Sequence, residues 1–176
     1  MSKRVWIFMT AVLWCMVLTG TGWSQTHAHA ARWRPATEKE LSVFIPARVP
    51  VIAERIETEL SSASGVTDGK GHFVAAVVLI TAGYSSNGKY SDILLTQVPI
   101  RIGETTLPEG HYLLGWTRGE DGLVVTFSEA SSGRPVVTVN AVRSTTIKGV
   151  QSIHLWPPTE GSVIQLGRFT IPYSIP

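Results

Sequence analysis

Cysteine is nearly missing from this chain: among 176 residues there is one, Cys15. It lies inside the apolar run from Val5 to Leu18, within a segment that reads as a removable leader. Once that leader is gone, no disulfide, thiolate nucleophile or Cys-ligated metal can be built, and stability must come from a hydrophobic core. Leu13 and Trp14 precede the cysteine where lipid attachment wants small residues, which argues against a lipoprotein anchor. Dense basic clusters are also absent. Nothing exceeds Arg32-Trp33-Arg34, so neither a nucleic-acid footprint nor a polybasic membrane patch is expected. The chain has no repeat of fixed period and no low-complexity stretch.

What is present begins with an address. Lys3 and Arg4 open the chain, an apolar run too short for a comfortable permanent span follows, and small residues suited to cleavage come next. Residues 1–30 therefore read as a secretory signal peptide, with cleavage after Ser24, Ala28 or Ala30, and the mature protein is expected to be periplasmic or extracellular, without a membrane span. The precursor has 15 Lys+Arg and 13 Asp+Glu. Removing Lys3 and Arg4 balances the mature chain at 13 of each sign, so the apparent basicity belongs to the leader.

The rest is about one domain long. Residues 31–48, with Pro35 and Pro46, suggest an extended arm rather than a helix, and residues 49–176 the domain itself. Short β-type runs separated by turn signals recur about every ten residues, the grammar of an all-β fold. The expectation is a single antiparallel β-sandwich of about 7–9 strands. Phe73 to Ala82 is apolar on both faces and predicts a central strand covered on both sides. Tyr112, Leu114 and Trp116 alternate as a core face; so do Leu123, Val125 and Phe127, then Val137, Val139 and Ala141. Val163 to Ile171 reads as one last strand. Asn87-Gly88 and Asp121-Gly122 supply positive-φ residues for tight hairpins, and Asp68-Gly69 and Ser132-Gly133 serve looser turns. Residues 51–63 fit a helix by propensity and a strand by alternation and by the Gly-rich turn that follows; the strand is favoured.

Candidate chemistry is thin. His72, His111 and His154 are scattered over separate runs, and no cofactor or mature metal site is expected from them. His27 and His29 become copper-competent only if cleavage leaves one of them at or near the new amino terminus; cleavage after Ala30 removes both. Ser86 and Lys89 match a Ser-x-x-Lys spacing, but Asn87-Gly88 between them turns the chain and parts the side chains. Gly83-Tyr84-Ser85 lacks the second glycine of a nucleophile elbow, since Asn87 stands there. Glu104, Glu109, Glu120, Asp121, Glu129 and Glu160 fall at turns or strand ends; a glycosidase pair would require two of them to converge. Aromatic side chains in loops give the better binding argument, with Trp156, Tyr84 and Tyr90 as candidate ligand contacts.

Leu107-Pro108-Glu109-Gly110-His111-Tyr112, together with residues 79–85, 127–135 and 167–173, resembles an uncharacterised family of small secreted all-β proteins of environmental Gram-negative bacteria. The resemblance implies the fold and transfers no catalytic residue. The expected function is an exported non-catalytic module, binding or structural at the cell envelope, with an envelope protein or glycan as partner. The alternative is a secreted enzyme, either a carbohydrate-active hydrolase or a copper enzyme with an amino-terminal histidine. Oligomeric state is not legible at this level.

Overall fold

The computed structural model describes residues 32–81 and 90–176. Chain order is β1 (Arg34–Pro35), α1 (Glu38–Phe44), β2 (Arg48–Val51), β3 (Glu54–Thr67), β4 (Phe73–Ile80), β5 (Asp92–Thr96), β6 (Ile100–Ile102), β7 (Thr105–Leu107), β8 (Gly110–Arg118), β9 (Gly122–Glu129), β10 (Pro135–Arg143), β11 (Gln151–Trp156), β12 (Val163–Gly167) and β13 (Phe169–Ser174). The fold is all-β and every strand pairing is antiparallel.

Where turn spacing suggested a sandwich of seven to nine strands, the structure has 13 strands in one network bent into a nearly closed barrel. Nine of them form the wall, in the order β3-β4-β5-β8-β9-β10-β13-β12-β11. Eight direction reversals separate the first wall strand from the last, so β11 runs parallel to β3 where they meet. An antiparallel ladder cannot close that seam. The count exceeds the expectation because short strands escape a periodicity reading, and because Gly167 (φ +62°) breaks the expected strand 163–171 into β12 and β13.

Alternation decides which side chains fill the barrel. Val74 and Ala76 of β4, Leu94 of β5, Leu114 of β8 and Val125 and Phe127 of β9 point inward and are fully buried. The β6–β7 hairpin joins the network through β13 and buries Ile100, Ile102 and Leu107 in the same cluster. The opposite face of β4 (Ala75, Val77, Leu79) packs outward beneath α1 and β2, through Leu41, Ile45, Val49 and Val51. This is why β4 is apolar on both faces, as its sequence predicts.

Two expectations are corrected. The arm is not wholly extended: Glu38–Phe44 forms a helix closed by a capping box, in which Thr37 Oγ1 accepts the Glu40 N–H and Glu40 accepts the Thr37 N–H. Gly65 lets this helix sit close to the sheet, since a Cβ there would lie 2.8 Å from the Ala75 Cβ and 2.9 Å from Leu41 Cδ2. Trp116, expected in the core with Tyr112 and Leu114, is 40% exposed because it sits near the end of β8, beyond the packed interior. The segment 51–63 resolves as strand, apart from the turn at Ile52 and Ala53.

Candidate binding surfaces: the barrel seam and an open strand edge

The seam is built by a bulge. Between Glu59 and Ser64, β3 inserts extra residues opposite β4, and the serines of that insertion hold its shape. Ser62 Oγ donates to the Glu59 carbonyl and accepts the Val78 N–H, while Ser61 Oγ donates to the Glu59 carboxylate. Ser64 then faces β11. Its Oγ accepts the Leu155 N–H at 2.9 Å and lies 3.1 Å from His154 Nδ1. With one lone pair given to the amide, the hydroxyl proton is available to Nδ1, which suits a neutral imidazole carrying its proton on Nε2. Burial lowers the His154 pKa, and the Glu160 charge raises it by a smaller amount. A side-chain hydroxyl thus does at the parallel seam what a ladder does elsewhere.

Outside this junction lies a groove of about 510 Å³, bounded by α1, the bulge and β11. Its lining mixes apolar Leu41, Leu60 and Leu155 with Glu38, Ser61 and His154. The Ser64–His154 pair resembles a nucleophile and base only in composition. Ser64 is buried and its oxygen is engaged by a backbone amide, so the pair braces the wall.

Of the aromatic candidates, Trp156 is not an exposed loop residue: it ends β11, is half-buried, and meets the His154 ring edge-on at 4.7 Å. Its Nε1–H donates to Gln165, its carbonyl accepts the Tyr173 hydroxyl, and burial raises the Tyr173 pKa. Tyr90 is half-buried against the outer cluster, its hydroxyl close to the Gly133 turn. The two rings have different surroundings and do not form one platform. Tyr84 lies outside the described residues, as do His27, His29, Ser86 and Lys89.

Among the carboxylates, Glu109 and Glu129 line one hollow of about 380 Å³ with His111. Glu129 is already engaged there, accepting from Ser132 Oγ at 2.6 Å and pairing with Arg134 at 3.7 Å. His72, His111 and His154 occupy separate elements, and among the described residues no group of three or more His, Cys, Asp or Glu side chains could hold a metal. No helix among the described residues is long and apolar enough to cross a membrane.

The surface that sequence reasoning missed is the far edge of β10. From Pro135 to Ala141 this strand follows β9 on one side, and among the described residues no strand follows it on the other. β13 pairs with it in register only at Val142↔Thr170 and Arg143↔Phe169, then diverges to pair with β6. Along the open run Val136, Thr138 and Asn140 are exposed, whereas Val137 and Val139 lean on the interior. Alternation identified the two faces of β10, but nothing local signals whether a strand has a second neighbour.

Comparisons with protein-family models, with characterised proteins and with solved structures find no match to this chain.

Proposed function

We propose that this protein is an exported, non-catalytic binding module of the periplasm or cell exterior, which engages an envelope protein by accepting a strand along the open edge of β10. The observation that carries this reading is the run Pro135–Ala141: paired on one side only among the described residues, uncharged throughout, and rich in β-branched residues. Main-chain groups along such an edge supply affinity to an added strand, and side chains on alternate faces supply selectivity. Export is supported by the pattern of residues 1–30.

A photo-reactive residue at Asn140, compared with one at Val43 on the exposed side of α1, tests the proposal in intact cells. Cross-linked adducts from Asn140 and none from Val43 are expected. Absence of adducts from Asn140, or the same adducts from both positions, would overturn the reading.

A second reading, a carbohydrate-active hydrolase, draws on Glu109 and Glu129 in the same hollow. Glu109→Gln and Glu129→Gln test it, since each must abolish turnover of a glycan substrate if the two act as a pair.

A further inference from the structure

The open edge of β10 has a length and a composition that suit one particular occupant. Among the described residues the free run extends from Pro135 to Ala141, three residues on either side of Thr138, because β13 takes over the same edge at Val142. When a strand pairs antiparallel with its own copy about a two-fold axis, a residue n places before the centre faces one n places after it. A centre at Thr138 uses the whole run. A centre at Val139 would set Val136 against Val142, where Thr170 already sits.

We infer that the strand received by this edge is β10 of a second copy of the chain, in antiparallel register centred on Thr138. The inference rests on the reading of β10 as the interaction edge. In this register Thr138 faces its own counterpart and Val136 faces Asn140 on the exposed side, while Val137 faces Val139 on the inner side. Every opposed pair is neutral, and the β-branched pairs are of the kind that stabilise antiparallel sheets. Arg134 and Arg143 flank the run without entering it. Edges that stay unpaired are usually guarded by charge, proline or a bulge within the strand; here Pro135 and the register shift after it guard only one end. The row carries no charge by which to select a foreign strand, and against its own copy it brings no like charges together.

Sedimentation of the purified product of the full coding sequence tests this over a roughly hundredfold range of concentration. The wild type is expected to pass from monomer to dimer. Thr138→Lys and Thr138→Glu each place like charges directly opposite across the axis and weaken dimerisation at least about tenfold. An equimolar mixture of the two restores it as a heterodimer. Asn140→Lys faces Val136 rather than its own counterpart, so it weakens dimerisation less than Thr138→Lys does. Circular dichroism confirms that each variant is folded.

A wild type that stays monomeric at every concentration overturns the inference, as does Thr138→Lys dimerising like the wild type. Equal weakening by Asn140→Lys and Thr138→Lys overturns the register. If sedimentation fails while adducts from Asn140 to another protein persist, the second copy is wrong and the edge reading stands; if those adducts are also missing, the edge reading falls with it.

Discussion

Replacing Asp92 by Asn should stabilise this protein near neutral pH. Asp92 opens β5 on the face that points into the barrel, paired in register with Val78 and Leu114, and is 4% exposed. Burial raises its pKa from 3.8 to about 6, while the Ser91 hydroxyl, donating at 2.7 Å, offsets part of that rise. A folded-state pKa above the unfolded value means that the native protein holds the proton more tightly. The associated stability is therefore complete below about pH 4 and is lost as pH rises through about 6. The rise from 3.8 to about 6 corresponds to about 3 kcal/mol lost by neutral pH. Asn removes the ionisation, so the variant should gain up to about 3 kcal/mol over wild type at about pH 7.5, less the cost of any amide hydrogen left unpaired, and almost nothing at about pH 4. Urea unfolding at the two pH values measures both differences. Equal differences at both, or a less stable variant at neutral pH, would refute the reasoning.

Other outcomes follow from the same geometry. Ser64→Ala leaves the Leu155 N–H without its partner at the seam and should cost about 1–3 kcal/mol in urea unfolding, with faster exchange of the Leu155 amide. Gly65→Ala forces a Cβ against Ala75 and Leu41, lifting α1 from β3 at a cost of about 1–3 kcal/mol. Thr37→Ala removes the helix cap and should cost about 1 kcal/mol in the same assay. Burial lowers the His154 pKa, so protonation favours the unfolded chain and its contribution weakens stability as pH falls below about 6.5; His154→Gln should lose stability less steeply than wild type over that range.

The strands were legible wherever one face is apolar and the other polar, as in β9, or both are apolar, as in β4. Short-range punctuation was legible in part. Gly69 and Gly133 have the positive φ their turns imply, but Gly122 does not; it is required because a Cβ there would overlap the Ala141 carbonyl oxygen on β10. Helix α1 had a local signal, Thr37-x-x-Glu40 ahead of Leu41, which the neighbouring prolines outweighed although Pro35 and Pro46 flank the helix without interrupting it. Barrel closure had no such signal. The seam depends on a bulge in β3 meeting a strand some 90 residues later, through Ser64 and Leu155. The open edge of β10 is likewise a property of where β13 goes, so the residues of β10 itself could not announce it.

The most direct test is residue-resolved amide hydrogen exchange along β10 at low and high protein concentration. At high dilution, amides directed to β9 should be protected while the alternate amides between Val136 and Asn140 exchange freely, and those free amides should slow as concentration rises and the edge is filled. Uniform protection of the strand at every concentration would show that the edge is already covered within one molecule, and free exchange at every concentration would show that no second copy takes it.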